Sequence, residues 1–205
     1  MDQSISEIFL KINNLTVIRG KSKVFSDYNT SFFSRKINVL KGPNGSGKTT
    51  LLKIISGLIF PNYGQVLWSK DLKNKINFVS HSNGLSPTLT VKMNLENWIK
   101  LFEIKEKVEN ILSFFNIQNL VHKKVKELSE GQQRKVALSR LFVSQRKVWI
   151  LDEPLEALDK NSKDIFCNLL LDHIKNNGMI IISSNQELNN IPKSVLNEIN
   201  INQLL

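Results

Sequence analysis

Gly42-Pro43-Asn44-Gly45-Ser46-Gly47-Lys48-Thr49 decides how this chain is read. It satisfies G-x-x-x-x-G-K-[ST], the spacing of a loop that cradles phosphate. Its glycines let backbone N–H groups converge on phosphate oxygens without side-chain interference. A helix opening directly after the loop adds the dipole of its N-terminus. Lys48 supplies a point charge for β and γ phosphates, and the Thr49 hydroxyl can ligate Mg²⁺. The flanks fit this reading. Ile37-Asn38-Val39-Leu40 reads as a strand before the loop, and helical spacing runs over residues 49–57 after it.

A second motif lies a hundred residues on. Val148-Trp149-Ile150-Leu151 is an apolar strand that ends in Asp152-Glu153-Pro154. Unpaired buried charge is expensive, so adjacent acids at the end of a buried strand imply a task. Asp152 suits Mg²⁺. Glu153, one step further, faces the other way and can polarise a water that attacks a γ phosphate. Between the two motifs stands Leu128-Ser129-Glu130-Gly131-Gln132-Gln133-Arg134, which by itself is a Ser-capped start to a helix with an acid in its first turn.

In that order the motifs resemble the nucleotide-binding subunit of an ATP-binding-cassette (ABC) transporter. The likeness covers residues 8–186 and includes Ala157-Leu158-Asp159 after the acidic pair. It implies an α/β fold: a P-loop NTPase core of the ABC ATPase type, with an inserted helical lobe and an antiparallel β edge. It implies ATP and Mg²⁺ as ligands. ATP would be held by residues 42–49 and the adjacent Thr50, and Mg²⁺ by Thr49 and Asp152. Glu153 would be catalytic. Two subunits would pack head to tail, with Ser129, Gly131 and Gln132 of one against the ATP bound by the other. A second copy or a homologue is therefore a required partner, together with integral-membrane transporter subunits. No nucleic-acid partner is expected.

A subfamily likeness is closer still. Phe78-Val79-Ser80-His81-Ser82-Asn83-Gly84-Leu85 and Leu89-Thr90-Val91 look like the haem-exporter ATPase of cytochrome c maturation. That subfamily tends to have His where most cassettes have a glutamine, which implies a metal-side role for His81. The implied location is peripheral, on the cytoplasmic face of a bacterial inner membrane or the matrix face of the mitochondrial one. Residues 80–101, with Trp98, would dock a short helix of the membrane subunit. The alternatives are a soluble cassette ATPase acting on nucleic acid or ribosomes, and a non-hydrolysing ATP-dependent clamp.

Three positions depart from the family pattern. Arg19 stands where an aromatic usually stacks on adenine; a guanidinium can stack on a base as well. Glu130 replaces a small residue of the signature. Asn185, in Ser183-Ser184-Asn185-Gln186, replaces a His that touches the γ phosphate. An amide donates a hydrogen bond but carries no charge, so a slow ATPase is expected, with Asn185 in the catalytic set.

The rest of the chain agrees with a single cassette domain over residues 1–205. Residues 8–80 and 144–205 form the core lobe and 81–143 the helical lobe. Strand-like runs are read at residues 8–12, 29–33, 65–68, 76–79 and 179–182, and no element after the last. Helical spacing marks residues 94–102 and 108–115, then Val136, Leu138, Leu141 and Phe142. Asp159 caps a further helix, which is expected to end at Gly178. Hydrophobic residues make up 41% of the 205, enough for a core, so wholesale disorder is excluded. The single cysteine, Cys167, excludes a disulfide framework and reads as a buried, inert thiol. No apolar stretch approaches a membrane span, and Met1-Asp2-Gln3-Ser4 begins no secretory signal. With 28 Lys+Arg against 18 Asp+Glu the net charge is +10, which points to nucleic acid or an anionic membrane surface. Abundant Asn, Lys and Ile also fit an AT-rich coding sequence, which lightens that argument.

Overall fold

A computed structural model describes residues 7–69, 72, 75–143 and 146–201. The amino-terminal stretch read for a signal lies outside these residues, as does residue 144, where the second part of the core is expected to begin. Strands β1 (Ile8–Arg19) and β2 (Ser22–Phe33) form a long antiparallel hairpin, far longer than the two short runs read from the sequence. After β3 (Ile37–Lys41) and α1 (Lys48–Ile55), β4 (Tyr63–Trp68) returns to the free side of β1. This three-stranded sheet, in the order β2-β1-β4, is the antiparallel edge.

The second sheet is parallel. It is built from β5 (Ile76–Val79), β6 (Val148–Asp152), β7 (Met179–Ser183), β3 and β8 (Leu196–Asn200), in the order β5-β6-β7-β3-β8. Its central strands are buried on both faces, which is why they read as unbroken apolar runs. Alternate side chains divide between two cores. Ile37, Val39, Trp149, Leu151, Ile180 and Ile182 face one, and Leu40, Val148, Ile150, Met179 and Ile181 the other. Helix α1 and the antiparallel sheet cover the second core, where Leu10, Ile12, Leu51, Leu52 and Phe32 are fully enclosed.

The inserted segment folds as α2 (Val91–Leu101), α3 (Val108–Ser113) and α4 (Glu130–Val143). Thr90 caps α2 by accepting a hydrogen bond from Met93 N at 3.2 Å. Leu95, Leu112 and Leu138 are wholly buried and share one core with the first face of the parallel sheet. Each such leucine contributes about 1.5–3 kcal/mol of transfer free energy.

Helix α5 (Lys160–Lys175) starts as expected, with Ser162 N donating to Asp159 Oδ1 at 2.8 Å. Its end differs from the sequence reading. Asn177, not Gly178, takes the left-handed conformation, with φ 62°. Gly178 N donates to His173 O at 2.9 Å and Asn177 N to Ile174 O at 3.2 Å, the paired bonds of a Schellman stop. Gly178 is needed for another reason: a Cβ there would overlap the His173 ring. The second correction is β8, which follows the strand taken as the last. It pairs parallel with β3 from Ile37↔Leu196 to Lys41↔Asn200. Cys167 is buried, and burial pushes its thiol pKa up, so it stays protonated and inert.

Candidate active site

Strand β3 ends at Lys41 and the phosphate loop turns directly into α1. Close contacts account for its first and last glycines. A Cβ on Gly42 would overlap the Ile201 carbonyl, and one on Gly47 would lie 2.6 Å from Val24 Cγ1 and 2.9 Å from the Phe25 ring. Gly47 also has φ 99°, which disfavours any side chain. The loop therefore rests on β2 and on the backbone beyond β8. It borders a cleft of about 400 Å³ lined by Val24, Asn44, Gly45, Gly47, Lys48, Thr49, Thr50, His81, Asp152, Glu153 and Glu156. Most of the residues read from the phosphate loop and the acidic pair thus meet at one place.

The parallel sheet brings the acidic pair to the loop. Asp152, 1% exposed, ends β6, one strand away from β3 across β7. Thr49 Oγ1 donates to its carboxylate, 2.9 Å from Oδ2 and 3.1 Å from Oδ1. Ser183 Oγ on β7 donates to Oδ1 at 2.7 Å. A hydroxyl and a carboxylate within 3 Å are hard oxygen donors of the kind that holds Mg²⁺. Two buried polar atoms beside them, Ser46 Oγ and Glu153 Oε1, have no hydrogen-bond partner among the described residues. A phosphate with its Mg²⁺ and water supplies what these donors and acceptors lack, so the residues fit the group.

Glu153 leaves the strand with φ 44°, which turns its carboxylate towards the loop. Oε2 accepts from Asn185 N at 3.2 Å, and Oε1 lies 3.8 Å from Lys48 Nζ. Burial raises the Glu153 pKa above its ordinary value, while the Asn185 N–H and Lys48 hold it down. A carboxylate poised in this way takes a proton more readily than an exposed one.

Lys48 is itself buried. Its ammonium donates to Gly42 O at 2.7 Å, Pro43 O at 3.2 Å and Asn185 Oδ1 at 3.0 Å. Asn185 also donates from Nδ2 to Asn44 Oδ1 at 2.8 Å. It stands at the carboxyl edge of the sheet beyond β7, where its position in the chain puts it. His81, on the rim of the cleft, is exposed and pairs with Glu156, Nδ1 to Oε2 at 3.2 Å. Among the described residues no group of three His, Cys, Asp or Glu side chains forms a metal cluster.

Two sets of sequence candidates lie elsewhere. Arg19 is exposed at the end of β1, paired with Ser22 across the hairpin and outside the cleft lining; the aliphatic Val24 forms the wall on that side. Ser129, Gly131 and Gln132 sit at the start of α4, also outside the lining. Gln132 N donates to Ser129 Oγ at 3.3 Å and Ser129 N to Gln132 Oε1 at 3.0 Å, a reciprocal cap. A Cβ on Gly131 would lie 2.6 Å from Ala157 O, so this helix end is pressed onto the turn after Glu153. Lys135 Nζ meets Asp159 Oδ2 at 2.6 Å on the same seam, and this contact holds the Asp159 carboxyl well below the usual carboxylate range.

One residue quoted within the signature, but given no role there, joins these parts. Arg134 is 3% exposed and makes five hydrogen bonds. NH2 donates to Asp152 O and Glu153 O at 2.8 and 2.9 Å, and Nε to Pro154 O at 3.2 Å. NH1 donates to Ser80 O at 2.9 Å and Asn83 Oδ1 at 2.8 Å. Burial lowers its pKa to about 10, with the nearby carboxylates opposing, so it stays charged. A signal existed in the sequence. Arg134, Leu138 and Leu141 share one stripe of α4, and a cation on an inward stripe needs acceptors.

Comparison with known proteins places this site in context. Residues 25–156 match a family model described as ABC transporter. The chain is 32% identical to the cytochrome c biogenesis ATP-binding export protein CcmA of Histophilus somni, over 95% of this chain and 93% of that one. It is 36% identical to the protein of the same name from Rhodobacter capsulatus, over 87% and 82%. Among solved structures, a putative ABC transporter ATP-binding protein from Pyrococcus furiosus superposes with a TM-score of 0.77 at 28% identity, covering 94% and 96% of the two chains. A dimeric ATP-binding cassette in a post-hydrolysis state, bound to ADP and Pi, superposes with a TM-score of 0.74 at 25% identity, covering 88% and 89%.

Proposed function

Because the chain belongs to the ABC transporter family, we propose that it is the ATP-hydrolysing subunit of a membrane exporter serving cytochrome c biogenesis, with haem as the cargo. The observation that carries the ATPase reading is the meeting of Thr49, Asp152 and Glu153 at the mouth of the phosphate loop. The names of the relatives carry the cytochrome c biogenesis reading, and the likeness of residues 78–85 and 89–91 to the haem-exporter subfamily carries the choice of cargo.

ATP lies with its β and γ phosphates along residues 42–49, met by backbone N–H groups and by Lys48. Thr49 and Asp152 would hold Mg²⁺, which would supply charge neutralisation at the phosphate oxygens. Glu153 takes a proton from a water whose oxygen bonds to the γ phosphorus. The bond from that phosphorus to the β–γ bridging oxygen breaks, and ADP and phosphate leave. Ser129, Gly131 and Gln132 of a second copy or a homologue close over the γ phosphate, which accounts for their position away from this chain's own cleft. Asn185 offers an amide where a charged His would offset developing charge, so turnover is slow. His81 borders the same cleft and partly substitutes.

No helix among the described residues is long and apolar enough to cross a membrane, so membrane subunits supply the path and this chain sits peripherally on them. The surface around residues 80–101 is their dock. There Trp98 is half-buried, with the Arg140 guanidinium 5.1 Å from its ring centroid. Affinity isolation from detergent-solubilised membranes tests the whole reading. Recovery of integral subunits whose loss stops cytochrome c maturation supports it. Recovery of ribosomes or DNA instead overturns it.

A further inference from the structure

The outer edge of the helical lobe carries a row of cations on a firm base. Four backbone bonds of 3.0 Å pair residues 87–92 with residues 121–126: Val91 N to Lys123 O, Lys92 N to Val121 O, Val125 N to Leu89 O and Lys126 N to Pro87 O. Thr90 bridges Lys124 in the same antiparallel sense. Val91 and Val125 turn inward and are buried. His122, Lys123, Lys124 and Lys126 are left exposed, with Lys92 alongside.

These charges are not consumed within the fold. Among the described residues, the side chains of Lys123, Lys124 and Lys126 make no ion pair. Glu127 turns its carboxylate onto the Lys124 backbone N–H at 3.3 Å, and Glu96 reaches only Lys92, at 3.8 Å. Next to Lys92, Met93 is 47% exposed.

We propose that this ridge binds anionic phospholipid headgroups and holds the helical lobe against a negatively charged bilayer. The choice of partner follows from the side chains. The ridge has lysine and histidine but no arginine, so it offers point charges rather than the planar forks that read nucleic-acid phosphates. Its exposed apolar neighbour is a methionine, a side chain that enters the acyl boundary, rather than an aromatic on which a base would stack. Each lysine beside an anionic membrane strengthens binding about fivefold, so three unpaired ones together give about 100-fold. The attachment goes beyond the transport reading and needs no protein partner.

The test uses the whole purified chain without membrane subunits. Wild type is expected to sediment with phosphatidylglycerol-containing vesicles and not with pure phosphatidylcholine vesicles, and to release at ~0.5 M salt, where screening is nearly complete. The triple substitution Lys123→Gln, Lys124→Gln, Lys126→Gln is expected to weaken that binding about 100-fold. The control pair Lys21→Gln, Lys23→Gln, exposed at the tip of the β1–β2 hairpin, is expected to leave it unchanged. Binding of a fluorescent ATP analogue reports that both variants are folded. Hydrogen exchange on wild type reads the same contact without mutation, with slower exchange expected over residues 87–93 and 121–126 when vesicles are added. Equal vesicle binding by the triple variant, no slowing over those residues, or preferential capture of transfer RNA over the vesicles would each overturn the proposal.

Discussion

The Lys48 ammonium lies 3.0 Å from the Asn185 side-chain oxygen and 3.8 Å from a Glu153 carboxylate oxygen. The cation of the phosphate loop thus sits between the two residues to which the proposed mechanism assigns the rate. The Asn185 amide spans the loop, accepting from Lys48 on one side and donating to Asn44 on the other.

Glu153→Gln should keep nucleotide binding and stop hydrolysis. The amide keeps the size of the side chain but cannot take a proton, and losing a general base costs about 10²–10⁴ in rate. Gel filtration with ATP should show a trapped dimer once the partner subunits are supplied. Hydrolysis at the wild-type rate would remove Glu153 from the mechanism and leave it a polar strand end.

Asn185→His should raise kcat with little change in KM, and Asn185→Ala should lower kcat. A protonated imidazole adds one preorganised charge at the γ phosphate, an effect of about 10²–10³ at most. Alanine also frees Lys48 and Asn44 from their shared partner. Equal turnover in all three proteins, assayed with membrane subunits present, would show that position 185 plays no part in the rate.

Arg134→Ala should destabilise the fold by about 3–5 kcal/mol, as breaking a buried charged network does. It removes a donor from the carbonyls of Ser80, Asp152, Glu153 and Pro154, of which Ser80 O and Glu153 O keep backbone bonds of 3.3 Å from Asn83 N and Glu156 N. Arg134→Lys should recover only part, because one ammonium cannot reach acceptors spread over both the Ser80–Asn83 and Asp152–Pro154 sides. Urea midpoints at constant m read this out, and a loss under ~1 kcal/mol for alanine would mean that the network is not structural.

His173 predicts an acid limb in stability. Its ring stacks on Trp149, with centroids 3.6 Å apart and an interplanar angle of 12°, and burial lowers its pKa from 6.5 to about 4. The folded state favours the neutral ring, so between pH 6.5 and about 4 the unfolded chain binds the extra proton. Stability therefore falls as pH drops through that window and levels off below it. His173→Phe keeps the stack and should flatten this part of the profile. Lys147 O stays satisfied there by Met179 N at 2.8 Å. Identical slopes in both proteins over this window would assign the acid limb to other groups.

What could be read beforehand was whatever local pattern encodes. The phosphate loop, the apolar β6 and β7, the acidic pair and the Asp159 cap each announce themselves within a few residues. Strand β8 did not. Leu196-Asn197-Glu198-Ile199-Asn200 is a short edge strand with only Ile199 buried, so its pattern is that of a polar loop. Arg134 escaped because four of its five acceptors are main-chain carbonyls, drawn from two distant segments, which no spacing rule reveals. The left-handed stop was misplaced by one residue because Asn177 and Gly178, which both tolerate a positive φ, stand side by side; Asn177 takes it, and Gly178 is required where a Cβ would overlap the His173 ring. The signature residues were legible as a motif, and the resemblance set them against nucleotide bound by a second molecule rather than in this chain's cleft, a placement that stays with the proposed dimer.

The packing of Gly42 against Ile201, with Ile201 N bonded to Lys41 O at 2.7 Å, has a consequence for biosynthesis. The floor under the phosphate loop is made by chain that emerges from the ribosome some hundred and sixty residues after the loop itself (201 − 42 = 159). The nucleotide cleft therefore takes its final form only once residue 201 has left the ribosome. A nascent chain arrested before residue 196 carries every residue of the phosphate-binding motif and lacks the surface that shapes it.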